Sequence, residues 1–168
     1  IEGIQATGTN VTAKHAALND GDTNRGGNTT WANEQAIREI YLKTYEIACE
    51  DYGWNGMMGS LNRIGMTWFH YGMYKTIMRD EWGWPGVVLS DYNAVGELIP
   101  HGVAADLAEA ARLALLAGVD MDMMSGAYAQ HLAALVASDA VPLALVDEAV
   151  RRVLRLKLLL GLFDHPYV

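Results

Sequence analysis

Short apolar runs alternate along this chain with longer stretches whose apolar residues recur every three or four positions. The runs are Val11 to Leu18, Gly56 to Leu61, Gly86 to Asp91 and Val119 to Met124. Between the first two, residues 33–52 place Ile37, Ile40, Tyr41, Tyr45, Ile47 and Ala48 at helical spacing and stop at Gly53. A shorter helix is expected over 71–82, and an Ala/Leu-rich one over 104–117 that stops at Gly118. The last, 142–160, opens with Pro142 at an early helical position and closes at Gly161. Its apolar residues Leu145, Val146, Ala149, Val150, Val153, Leu154 and Leu158 form one stripe, with Arg151, Arg152 and Arg155 between them. Strands alternating with helices at about 30 to 45 residues per unit predict βα units on a parallel sheet. Four such units make either a small open α/β sheet or half of an eight-stranded barrel, and periodicity does not choose between them.

Composition narrows the partners. The 168 residues are 51% apolar, enough for one domain with a packed core. Lys and Arg total 12 against 20 Asp and Glu, a formal net charge of −8. That balance excludes a nucleic-acid binder, whose phosphate contacts need clustered positive charge, and there is no polybasic membrane-surface segment. No apolar stretch reaches the 18 or so residues that a membrane span needs. Ile1-Glu2-Gly3-Ile4 does not read as a signal peptide, and the compartment is not legible from this end. The single cysteine, Cys49, falls inside a helical pattern and is expected to pack as a small apolar residue rather than act as a nucleophile.

In a parallel α/β fold the functional groups gather at the C-terminal ends of the strands. Here those ends carry Lys14-His15, Ser60-Leu61-Asn62-Arg63, Ser90-Asp91-Tyr92, and the pair Asp120 and Asp122. Cations and amides grip hydroxyl groups while a carboxylate faces a reacting carbon, so the set suits a polyhydroxylated ligand. Asp91, a lone carboxylate at the tip of an apolar strand, is the most telling member; its plainer reading is the cap of a following helix. Lys14 reads as a strand-end charge or a Schiff-base lysine, and His15 alone as a structural histidine. Asp120 and Asp122 flank Met121 and are expected to tie loops together. Trp54, Trp68, Trp82 and Trp84 read as packing anchors, and Met57, Met58, Met121, Met123 and Met124 as strand residues that fill the interior. Residues 20–28, polar and Gly-rich, lack phosphate-loop spacing and read as a long loop beyond the first strand.

At these strand ends the chain resembles the glycoside hydrolase family 3 enzymes, chiefly β-glucosidases and β-xylosidases. Thr12-Ala13-Lys14-His15 is similar to that family's Lys-His strand end, and Asn24-Arg25 to the pair that often follows it. Residues 33–42 resemble the next helix, and Ser60-Leu61-Asn62-Arg63-Ile64-Gly65 the next strand and loop. Arg79-Asp80-Glu81-Trp82-Gly83-Trp84 and Gly86-Val87-Val88-Leu89-Ser90-Asp91-Tyr92 resemble the approach to the family's nucleophile and its motif. Gly118-Val119-Asp120-Met121 and Leu160-Gly161-Leu162-Phe163-Asp164 resemble the last strand and the barrel's exit. The stretches before and after Asp91 are similar to different branches of the family.

The resemblance implies half of a TIM-like (β/α)8 barrel, with residues 1–168 as a partial catalytic domain. It implies that Asp91 attacks the anomeric carbon, forming a glycosyl-enzyme that water hydrolyses with net retention. Lys14, His15 and Arg25 would bind hydroxyls of the terminal sugar, Met58 and Leu61 would line its pocket, and Asn62, Arg63 and Tyr92 would border it. The implied partners are β-linked glucosides, xylosides and oligosaccharides, with no cofactor and no metal. The family's early strands and its general acid/base have no counterpart among these residues, and no Glu here can be nominated for the latter. The chain alone is therefore expected to be weakly active or inactive, and to associate through its open sheet edges with a missing barrel half or a second copy. A non-catalytic half-barrel, serving as scaffold or sugar-binding module, is the alternative reading. Ala16 after Lys-His, Leu61 where a Tyr is common and Tyr92 where a Trp is common depart from the family pattern and would reshape the pocket.

Overall fold

The computed structural model of the chain describes residues 1–19, 29–60, the backbone of 63–64, and 72–167. Three strands, β1 (Thr12–Ala16), β3 (Gly56–Gly59) and β5 (Val87–Leu89), form a parallel sheet in the order β1-β3-β5. Thr12 pairs with Gly56, and Gly56 in turn with Val87. Met121 adds a fourth position through a parallel bridge to Leu89. Each strand thus lies beside its neighbour in sequence, with no reversal of order. A doubly wound sheet must reverse, whereas one arc of a barrel does not. The fold is α/β, half of a TIM-like barrel, and the unreversed strand order is that of one arc of such a barrel. A second small parallel pair joins β2 (Thr29–Thr30) to β4 (Arg63–Ile64).

The four expected helices fall where the pattern put them, with differences in detail, and two more α-helices are present among the described residues. A first short helix, α1 (Glu2–Gln5), precedes β1. The 33–52 segment begins as α2 (Glu34–Ala36), capped by Asn33, whose side chain accepts from the Ala36 N–H. It widens to a π-helix over Ile37–Tyr41 and continues as α3 (Lys43–Tyr52), ending at Gly53 with φ 56°. The 71–82 segment is a π-helix over Gly72–Glu81. Its buried residues, Met73, Tyr74, Ile77 and Met78, recur at a spacing of four, so the wider turn keeps them on one stripe against the sheet. Helices α4 (Leu107–Leu116), α5 (Ala127–Ala137) and α6 (Leu143–Leu159) complete the order. Pro142 stands just outside α6 in extended backbone rather than inside its first turn.

One expectation fails, and one longer helix was missed. The fourth run is not a full strand. The N–H groups of Asp120 and Met121 both reach the Val88 carbonyl, at 2.9 and 3.1 Å, and Met124 turns away with φ 73°. Met121 and Met124 are consequently 41% and 65% exposed, not interior filling. Helix α5 was not visible in the pattern. It begins at Gly126 without a side-chain cap, and its alanines blur the contrast between faces.

The core lies between the sheet and its helices, around Trp54, Leu42, Met57, Met73, Met78 and Val88, each 1% exposed or less. Trp54 and Trp84 stack with centroids 4.8 Å apart, and Trp84 Nε1 donates to the Trp54 carbonyl at 2.8 Å. These two are packing anchors, as expected; Trp82 is half-buried, and Trp68 lies outside the described residues. Gly86 immediately precedes β5, where a Cβ would overlap Trp84 Cζ2 and Cε2 and lie 2.8 Å from the Asn55 carbonyl oxygen. Because Trp84 is pinned by Trp54, Gly86→Ala is expected to cost about 1–3 kcal/mol through overpacking. An unchanged midpoint in urea denaturation would contradict this.

Outside the core, Arg38 grips Glu81 through two hydrogen bonds of 2.7 and 3.0 Å, joining the first π-helix to the second. The Arg38 bond holds the Glu81 carboxyl below the ordinary carboxylate range. A lowered folded value adds stability above the unfolded value of about 4.3, and loses it as pH falls through the folded one. Both partners are well exposed, so Glu81→Gln is expected to cost under about 1 kcal/mol at neutral pH. Denaturation of the two proteins at pH 7 and near pH 2 reads the difference, which should vanish in acid.

Candidate active site

Because the strands are parallel, their C-terminal tips share one rim. The β1 tip brings exposed Lys14 and half-buried His15; the β3 tip brings half-buried Met58 and, one residue beyond the strand, buried Ser60. Past β5 come buried Ser90 and then Asp91, whose side chain is 18% exposed. Tyr92, 60% exposed, stands beside it. Arg25, Leu61 and Asn62 lie outside the described residues, as does the side chain of Arg63.

The Asp91 tip is held from both sides. The Ser90 N–H donates to the Met121 carbonyl at 2.9 Å, and the Asn93 N–H to the Met123 carbonyl at 2.8 Å. Ser90 Oγ accepts from the Met123 N–H at 2.8 Å and donates to the Asp91 carbonyl at 3.0 Å. Asp91 Oδ1 accepts from the Tyr92 N–H at 2.6 Å, and Oδ2 lies 3.6 Å from His15 Nε2. No long helix follows. A turn runs to Val95, a 3-10 turn occupies Gly96–Leu98, and α4 begins only at Leu107. Asp91 therefore does not cap a helix, and the plainer reading of its position falls away.

His15 is engaged at both ring nitrogens. Its Nδ1 lies 3.4 Å from Asn19 Nδ2, and Asn19 Oδ1 accepts from Ser60 Oγ at 3.3 Å. The fold thus brings His15 and Asp91, 76 residues apart, to one point of the rim. Asn19 went unnoticed in the sequence, because an Asn in a loop carries no signal until its neighbours are placed.

Asp120 belongs to a different layer. Its side chain, 1% exposed, meets Arg79 Nη2 at 2.7 Å and Arg152 Nη1 at 2.9 Å, and accepts the Val88 N–H at 2.9 Å. Arg79 also donates to the carbonyls of Gly86 and Gly118, both at 3.1 Å. Burial pushes the Asp120 carboxyl up and the Arg79 guanidinium down, each opposed by the charge of the other. Asp120 ties elements together as expected, but it does so against the Val88 backbone of β5, joining the Gly72–Glu81 helix to α6. Asp122 makes a local bond, accepting from Ser125 Oγ at 2.6 Å.

Two further features lie apart from Asp91. A cavity of about 180 Å³ is lined by Leu115, Tyr128, Leu132, Val146, Val153 and Leu154, among others, and is overwhelmingly apolar. Cys49 is half-buried in α3, and burial followed by Glu50 pushes its thiol up, the opposite of what a nucleophilic thiolate needs.

The chain is similar to known proteins along most of its length. The chain is 39% identical over 146 residues to the periplasmic beta-glucosidase of Salmonella typhimurium, covering 83% of this chain and 18% of that protein. It is 33% identical over 184 residues to a beta-xylosidase of Formosa agariphila, covering 98% of this chain and 25% of the relative. Among solved structures, the beta-glucosidase from Listeria innocua in complex with gluconolactone superposes with a TM-score of 0.89 at 30% identity. That match covers 99% of this chain and 24% of the other. The chain thus spans about a fifth to a quarter of the length of these relatives. Residues 1–156 match the model described as the glycosyl hydrolase family 3 N terminal domain, and the chain belongs to that family.

Proposed function

We propose that residues 1–168 form part of the catalytic barrel of a retaining β-glycosidase acting on terminal β-linked glucosides or xylosides, with Asp91 as the nucleophile. The observation that carries this reading is the Asp91 carboxylate at the strand rim, held by the Tyr92 N–H on one oxygen and facing His15 from the other. A carboxylate fixed in this way needs little reorganisation to meet a carbon that develops positive charge. It would attack the anomeric carbon as the aglycone oxygen leaves with a proton, and water would later release the sugar with retained configuration. Lys14 and Arg25 would bind its hydroxyls beside His15, Met58 and Leu61 would line the pocket, and Asn62, Arg63 and Tyr92 would border it. The names of the relatives, beta-glucosidase and beta-xylosidase, support the substrate class.

The proton donor and the first half of the barrel would come from elsewhere, either from other segments of a longer protein or from an associated chain. A second reading, a sugar-binding or scaffolding half-barrel, draws on the edges at β1 and at Met121, which pair with no further strand among the described residues. One experiment separates the two. The chain is incubated with a 2-deoxy-2-fluoro glucoside bearing an activated leaving group, which needs little acid assistance, and its intact mass is measured. A single adduct that maps to Asp91 supports the catalytic reading. A folded chain that gains no mass favours the scaffold.

A further inference from the structure

The contacts around His15 form a directed series. Ser60 Oγ donates to Asn19 Oδ1 at 3.3 Å, Asn19 Nδ2 faces His15 Nδ1 at 3.4 Å, and His15 Nε2 faces Asp91 Oδ2 at 3.6 Å. An amide nitrogen can only donate, and a carboxylate can only accept. With the Asn19 oxygen turned to Ser60, its NH2 group points at Nδ1, which must then carry a lone pair. A neutral imidazole has one proton, so that proton sits on Nε2, where it meets the Asp91 carboxylate. The opposite arrangement, with the amide turned over and Nδ1 protonated, would set the Nε2 lone pair against a carboxylate oxygen. For a ring with a single proton, only the first matches a donor to an acceptor at all three junctions.

We propose that Asn19, oriented by Ser60, is a positioning residue that holds neutral His15 in the Nε2–H form, so that the ring presents a donor to the Asp91 carboxylate. Asp91 then has an N–H group facing each oxygen, Tyr92 on Oδ1 and His15 on Oδ2. The carboxylate is pinned without neutralisation, and its remaining lone pairs stay available for attack. This last consequence rests on the reading of Asp91 as nucleophile; the tautomer does not.

The test is the nitrogen spectrum of the ring. Long-range proton–nitrogen correlation on the 15N-labelled chain, at a pH of about 8 where an ordinary histidine is neutral, distinguishes protonated from bare ring nitrogens. His15 is assigned among the five histidines by the signal missing from a His15→Gln variant. We expect the Nε2–H form in excess by roughly tenfold at most, the ratio that about one hydrogen bond sustains. Asn19→Ala should bring the two forms toward parity, and Asn19→Asp, which puts an acceptor opposite Nδ1, should place a proton on Nδ1. A wild-type ring that carries its proton on Nδ1, or a tautomer ratio unmoved by Asn19→Ala, overturns the proposal. If a variant fails to fold, the wild-type spectrum still decides. Mass labelling of the wild-type chain at Asp91 reports separately on the nucleophile. The expected tautomer without an adduct sinks the catalytic reading and leaves the positioning role standing; an adduct with the wrong tautomer does the reverse.

Discussion

An Asp91→Ala chain is expected to gain no mass from the fluoro-glucoside, and any turnover of an activated glucoside should fall by at least roughly four orders of magnitude. The scale follows from what removal of a covalent nucleophile costs in enzymes whose remaining groups act as a unit with it. Among the described residues, no other carboxylate lies within 4 Å of His15. Asp91 is the carboxylate that the rim brings beside His15, and the Tyr92 N–H contact at 2.6 Å fixes which oxygen is held. Its stability cost should be small, because Asp91 is partly exposed and caps no helix. The two readouts therefore separate: intact mass and turnover collapse while urea denaturation barely moves. Turnover that survives the substitution would remove the nucleophile assignment.

The largest effect on folding is expected at Asp120. Its carboxylate is 1% exposed and holds Arg79, Arg152 and the Val88 N–H at once, while Arg79 is itself only 8% exposed. Asp120→Ala leaves a buried guanidinium without its counter-charge, a loss of about 3–5 kcal/mol. Domains of this kind are stable by only about 5–15 kcal/mol, so the variant should be largely unfolded or close to it. Arg152→Ala should cost less, since Arg152 is 22% exposed and water can replace it, and Arg79 stays paired. Circular dichroism during urea titration orders the three proteins; an Asp120→Ala chain within about 1 kcal/mol of the parent would contradict the account. Because the 120–123 segment also clamps Ser90 and Asn93, loss of Asp120 should loosen the Asp91 tip as well.

The sequence by itself determined a good deal. The alternation of apolar runs with amphipathic stretches places β1, β3, β5, α3, α4 and α6 because a strand and a helix bury their apolar residues with different periods, and a period is a local property. The glycines at 53 and 161 mark helix ends because left-handed backbone there favours a residue without a Cβ. Asp91 stood out because a single carboxylate ends an otherwise apolar run. Helix α5 escaped because an alanine-rich segment without a side-chain cap offers weak contrast, and the fourth strand was overdrawn because its pairing stops after one bridge to Leu89. What only the tertiary structure decided depends on contacts between residues far apart in the chain. The pairing of β1 with β3 and of β3 with β5 is one such contact, since neighbours across a sheet are invisible to local periodicity. The meeting of Asp120 with Arg79 and Arg152, and of Asn19 with Ser60 and His15, likewise arises from the packing of separate elements, which no local spacing encodes.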